Sequence, residues 1–118
     1  MNLTFMYHPV ADPGAAVAFQ HDVLGLDADW REGTDTVVFS LPGTEVQLML
    51  DASGSSAAGP NGFYQVADVD AFHAARRDPV TCVEPPADLP PIRCAAFRDP
   101  AGNLMRIFHE LAEHPGLA

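Results

Sequence analysis

Val10-Ala11-Asp12 recurs as Val66-Ala67-Asp68, 56 positions further on in a chain of 118 residues. Repetition at about half the chain length constrains the fold more than any other feature, because two stretches with one order of elements must solve one packing problem twice. The surroundings of the two copies agree. Leu3–Val10 is rich in β-branched, aromatic and aliphatic residues and predicts a strand. Asp12-Pro13 then opens a helix: Asp accepts from the orphan amides of a first turn, and Pro presets its φ. Ala16, Val17, Phe19, Val23 and Leu24 recur at helical spacing, and Gly25 stops the run. Short apolar runs at Asp29–Glu32, Thr36–Leu41 and Glu45–Leu50 predict three strands. The small-residue stretch Asp51–Pro60 predicts a linker or loop.

The second half repeats the order. Gly62–Val66 predicts a strand, and Asp68 or Asp70 caps a helix over Val69–Arg77 with Val69, Phe72 and Ala75 on its apolar face. Strands are expected at Val80–Val83, Ile92–Arg98 and Leu104–His109, separated by a Pro-rich loop, Pro85–Pro91, and the turn Asp99-Pro100-Ala101-Gly102. The expectation is a single domain over residues 1–118: module one (1–51), linker (52–60), module two (61–111) and tail (112–118), each module a βαβββ unit in an α+β fold.

Composition narrows the partners. Hydrophobic residues make up 47% of the chain, enough for one core, and a chain of this length buries roughly two thirds of its unfolded surface. No apolar run approaches the ~20 residues of a membrane span. The start, Met1-Asn2-Leu3-Thr4, shows no basic segment followed by an apolar one, so a cytoplasmic location is expected. The net charge is −10, and all six basic residues are Arg. Such a surface repels phosphate backbones and anionic lipid, so neither nucleic acid nor membrane is expected as a partner. Cys82 and Cys94 lie in no CxxC pair and read as thiols; a hairpin centred near Asp88 would bring them face to face.

Three stretches carry a family resemblance. HPVADPGAAVAFQHDVLGL (His8–Leu26) resembles the first strand-to-helix turn of the vicinal oxygen chelate superfamily, which groups glyoxalases, bleomycin resistance proteins and extradiol dioxygenases. YQVADVDAF (Tyr64–Phe72) resembles the same turn in the second module, and FRDPAGNLMRIF (Phe97–Phe108) the DPxGN turn feeding the last strand. The resemblance implies paired curved sheets enclosing a cavity, and frequent homodimers. In the metalloenzymes of the family it also implies a divalent ion held by His, Glu or Gln from the first and last strand of each module.

Carried over residue by residue, those ligand positions fall on Phe5, Gln47, Asn61 and Arg106. Phe donates nothing, Arg is permanently cationic, and the two amides offer only neutral oxygens, so no metal and no cofactor is expected. Alternation places Phe5, Tyr7, Gln47, Met49, Asn61, Phe63, Gln65, Arg106 and Phe108 on the cavity face. That lining suits a small molecule. Arg106 would hold an anionic group, or else an internal partner, Glu110 or Glu45. Trp30 either stacks on a flat ligand or packs internally. His8 and His109 should face away; only a register slip of one residue would turn them inward. No catalytic residue is legible, since neither a nucleophile–base arrangement nor a phosphate loop occurs. The expected function is metal-independent small-molecule binding of the glyoxalase/bleomycin-resistance type, the alternative being a metal-dependent lyase, isomerase or dioxygenase.

Overall fold

A computed structural model describes residues 1–53, 59–76 and 81–111. The centre of the linker, Arg77, Val80, the tail from residue 112 and His114 within it lie outside the described residues. The chain divides into two compact units, one of residues 4–61 and one of residues 1–3 with 62–118. Each carries the βαβββ order.

In the first unit the elements are β1 (Asn2–Pro9), α1 (Pro13–Ala18), β2 (Ala28–Glu32), β3 (Thr36–Ser40) and β4 (Gln47–Asp51), with sheet order β2-β3-β4-β1. β4 runs parallel to β1 and antiparallel to β3. Asp12 caps α1 as its side chain implies, Oδ1 accepting from the Ala15 amide at 3.1 Å. The predicted long helix is shorter than its apolar spacing suggests. After Ala18 the chain widens into a π-helical turn over Phe19–Val23, with the Leu24 amide donating to the Phe19 carbonyl at 3.2 Å. Widening changes the angular step per residue, so Ala16, Val17 and Leu26 pack on the sheet while Phe19, Val23 and Leu24 stay exposed. The core on this helix face is Val37, Phe39, Leu48 and Leu50, joined by Met6 and Val10.

The second unit contains β5 (Asn61–Gln65), α2 (Val69–Arg76), β6 (Thr81–Leu89), β7 (Ile92–Arg98) and β8 (Leu104–Glu110), in sheet order β5-β8-β7-β6 with β5 parallel to β8. Asp68, not Asp70, is the cap: its Oδ1 accepts from the Ala71 amide at 3.0 Å. Asp70 instead takes a two-pronged grip from Arg93 at 2.9 and 3.0 Å, and Arg93 also reaches Asp88 at 2.9 Å. That fork ties the start of α2 to the β6–β7 hairpin. Val66, Val69, Ala95 and Ile107 form the core, with Tyr64, Phe72 and Phe97 packed against it.

Two expectations fail in this unit for one reason. The region predicted as a strand to Val83 and then a Pro-rich loop is a single nine-residue strand, β6, running through Pro85 and Pro86. β6 is at the rim of its sheet, where a missing N–H on the outer side costs no ladder bond. Its register to β7 slips between Cys82 and Glu84 and again between Glu84 and Ala87. The hairpin therefore turns at Pro90-Pro91, whose bond is cis, and not near Asp88. Cys82 pairs with Phe97 and Cys94 with Ala87, so the two thiols do not face each other. The β7–β8 turn is held by Asp99, which accepts from the Ala101 and Asn103 amides and the Asn103 side chain, with Gly102 at a φ of 90° that only glycine adopts freely. The Asn103 side chain, then the turn's backbone donors, hold the Asp99 carboxyl below its ordinary value. Among the described residues no helix is long and apolar enough to cross a membrane.

Candidate functional site

Strand alternation leaves each sheet a second face, turned away from its helix. In the first unit the register sets Phe5 beside Gln47 and Ser40, then Tyr7 beside Met49 and Val38, then Pro9 beside Asp51 and Thr36. Trp30 joins the middle row through Val38. Phe5, Tyr7, Gln47 and Met49 thus share a face as their positions predict. The Phe5 and Trp30 rings meet edge to face, with centroids 6.3 Å apart. Trp30 is therefore packed on Phe5 while still 39% exposed, an aromatic edge open to solvent. The Gln47 amide donates to Asp29, which fixes its orientation across the strands.

Asp51 is the residue on this face that sequence reasoning missed. It reads as the first residue of a linker, yet it closes β4 and is 9% exposed. Its carboxylate accepts from the Tyr7 hydroxyl at 2.6 Å, the Thr36 hydroxyl at 2.9 Å, and the Ser53 amide and hydroxyl at 3.0 and 2.6 Å. Burial pushes this carboxyl up, but the donors from Ser53, Tyr7 and Thr36 outweigh it and leave the pKa below the ordinary carboxylate value. Asp51 is thus an ionised acceptor that aims the Tyr7 hydroxyl. The one signal in the sequence is the i, i+2 Asp–Ser pair, which favours a local turn.

In the second unit Phe63 lies beside Arg106 and Ala96, and Gln65 beside Phe108 and Cys94. Phe63, Gln65, Arg106 and Phe108 share the predicted face, with the two Phe rings tilted at 6.1 Å. Asn61 precedes them on β5, two residues from Phe63, and is 5% exposed. The register pairs Arg106 with Phe63, so Arg106 and Asn61 stand in different rows of that face.

Arg106 has an internal partner, but neither Glu110 nor Glu45. Its Nη1 donates to Glu84 at 2.9 Å, reaching over Ala96, the small residue between them on β7. The slipped register of β6 carries Glu84 into that position, which no count along the sequence reveals. The guanidinium also lies 5.8 Å from the Phe63 ring centre. The arginine is half-buried and its glutamate partly exposed, so this pair sits at the wet margin of the face.

The four inherited metal-ligand positions do not fit a divalent ion. Phe5 has no donor atom, Gln47 and Asn61 supply neutral amides, and Arg106 is a cation already bonded to Glu84. Among the described residues, no group of three or more His, Cys, Asp or Glu is arranged to hold a metal. The histidines of the slipped-register alternative are elsewhere. His8 pairs with Leu50 on the helix face of β4, and His109 Nδ1 accepts from the Val69 amide at 2.9 Å, capping α2. What remains on this face is, in the first unit, the Phe5–Trp30 edge contact with the oriented Gln47 amide and, in the second, the Phe63 and Phe108 rings with Arg106 held by Glu84.

Comparison with known proteins agrees with this architecture. A family model described as the Glyoxalase/Bleomycin resistance protein/Dioxygenase superfamily matches residues 5–107. None of the curated proteins matches the sequence. Among solved structures, methylmalonyl-CoA epimerase from Mycobacterium tuberculosis superposes with a TM-score of 0.73 at 22% identity, covering 98% of this chain and 90% of that one. A protein described as NAD-dependent benzaldehyde dehydrogenase from Legionella pneumophila gives 0.78 at 20% identity, over 91% of this chain and 98% of that one. A glyoxalase/bleomycin resistance protein/dioxygenase superfamily member from Vibrio splendidus 12B01 gives 0.64 at 18% identity, over 91% and 97%. At these identities the likeness is one of fold.

Proposed function

The chain belongs to the glyoxalase/bleomycin resistance protein/dioxygenase superfamily, and from that premise we propose that it is a metal-independent binder of a small, partly aromatic molecule, acting in the cytoplasm as a homodimer. The observation that carries this reading is Arg106. A guanidinium bonded to Glu84 stands where the family's metalloenzymes place an acidic ligand, and Phe5 stands where they place a histidine. A cation repels a divalent ion, whereas the neighbouring Phe63 and Phe108 rings offer flat apolar surface to a guest. The small molecule binds through these rings, with Gln65, on the same face, as an orienting amide. The alternative, a metal-dependent lyase, isomerase or dioxygenase, requires imidazole or carboxylate ligands that these positions lack.

The test is metal analysis of protein purified without chelator, paired with a thermal-shift screen of planar aromatic fragments. Metal well below one ion per chain, together with fragment binding that weakens in Phe63→Ala, supports the reading. Stoichiometric Zn, Ni, Fe or Mn refutes it.

A further inference from the structure

We infer that the side-chain oxygen of Asn61 is the atom by which this protein reads its guest, and that the guest presents an N–H or O–H donor to it, a conclusion that rests on the binding role proposed above. Asn61 is 5% exposed, and its Nδ2 donates to the Gly59 carbonyl at 3.1 Å. A carbonyl only accepts, so this bond fixes which end of the amide is nitrogen and turns Oδ1 the other way. Oδ1 is buried and has no hydrogen-bond partner. A Cβ on the next residue, Gly62, would come within 2.8 Å of the Tyr64 ring and 3.1 Å of the Leu3 side chain, so β5 is closely packed on the face opposite Asn61.

An unmade hydrogen bond at a buried acceptor is a standing destabilisation that an apolar side chain of similar size would remove. Buried polar groups in folded proteins are satisfied by protein, water or ligand. Among the described residues Gln20 Oε1 and His73 Nε2 are also buried without partners, but they belong to helical segments. Asn61 instead begins β5, on the face it shares with Phe63 and Gln65. A neutral amide oxygen beside an aromatic ring suits a neutral donor on a flat molecule. Neither Phe63 nor Gln65 brings the anionic charge that a metal or a small cation would need.

Indole and 1-methylindole are suitable probes, because they differ in that single donor. Titrations of the full chain are followed by the Asn61 side-chain and Phe63 backbone resonances in nitrogen-15 spectra. Indole is expected to bind about tenfold more tightly than 1-methylindole, one hydrogen bond's worth of discrimination. In Asn61→Leu the preference collapses while weak binding of both rings persists. Asn61→Asp, which keeps an acceptor, retains the preference and serves if the leucine variant does not fold. Without any probe, Asn61→Leu removes the unmade bond at Oδ1 and the made bond from Nδ2 to Gly59 together, so its melting temperature is expected to stay close to that of the wild type. Equal binding of the two indoles, binding of neither, or a preference that survives in Asn61→Leu overturns the inference. Run on chelator-treated protein, the indole comparison stays decisive for Asn61 even where metal analysis goes against the binding role.

Discussion

Replacing Asp51 by Ala tests whether the first unit is clamped by a buried carboxylate. The substitution removes the acceptor for the Tyr7 hydroxyl on β1, the Thr36 hydroxyl on β3 and the two Ser53 donors after β4. Tyr7 is only 7% exposed, so its hydroxyl loses a charged partner without gaining water, at a cost of about 2 kcal/mol. Half-buried Thr36 adds about 1 kcal/mol, and exposed Ser53 little, because water replaces its bonds. The total, about 3 kcal/mol, lowers the melting temperature of a domain of this size by about 12 °C. The pH dependence follows from the direction of the shift. The folded carboxyl lies below its ordinary value, so its stabilisation is fully present above the unfolded value of about 4 and is lost as pH falls through the lower folded pKa. Urea unfolding of wild type and Asp51→Ala should differ fully at pH 7, and the gap should close progressively under acid. Tyr7→Phe should destabilise the wild type by about 1 kcal/mol and the Asp51→Ala background hardly at all. A melting temperature within 2 °C of wild type, a gap that persists unchanged in acid, or additive effects of the two substitutions would refute the clamp.

Two further outcomes can be checked with the purified protein. Arg93→Ala removes the bonds to Asp70 and Asp88 that hold the Arg93 guanidinium above its usual pKa. Its melting temperature should fall at low salt, and the difference should shrink in 1 M NaCl, because the pair partners are half-exposed. A salt-independent loss would mean that packing, and not charge, joins α2 to the hairpin. Of the two thiols, exposed Cys82 should react with a disulfide reagent in the native state, while Cys94, buried and with its pKa pushed up by that burial, should react only after unfolding. Two fast thiols per chain would contradict the β6–β7 register.

Much of the fold is legible because local chemistry and tertiary packing agree. Asp12 and Asp68 cap their helices through the side-chain geometry their residue type favours, and Asp99 and Gly102 build the turn their spacing announces. Alternation also sorts Phe5, Tyr7, Gln47 and Met49, and likewise Phe63, Gln65, Arg106 and Phe108, onto shared faces, since period two survives in any regular strand. The failures fall where periodicity breaks. The π-helical turn rotates Phe19, Val23 and Leu24 away from the core that their spacing predicts. The bulges of β6 carry Glu84 to Arg106 and part the two cysteines. Asp51 is missed because a charged residue before a run of small ones is most simply a loop, and only three-dimensional convergence of Tyr7, Thr36 and Ser53 makes it an interior group.

The slips and prolines of β6 bear on more than the position of Glu84. Nine residues of exposed rim strand would ordinarily offer a ladder of open backbone groups on which a second chain could grow. Here Pro85 and Pro86 remove two amide donors in succession, and the register shifts before them and across them break the even spacing a growing strand must match. The rim is therefore a poor seed for aggregation. Straightening it, by replacing both prolines with Val, would be expected to trade solubility for a more regular sheet.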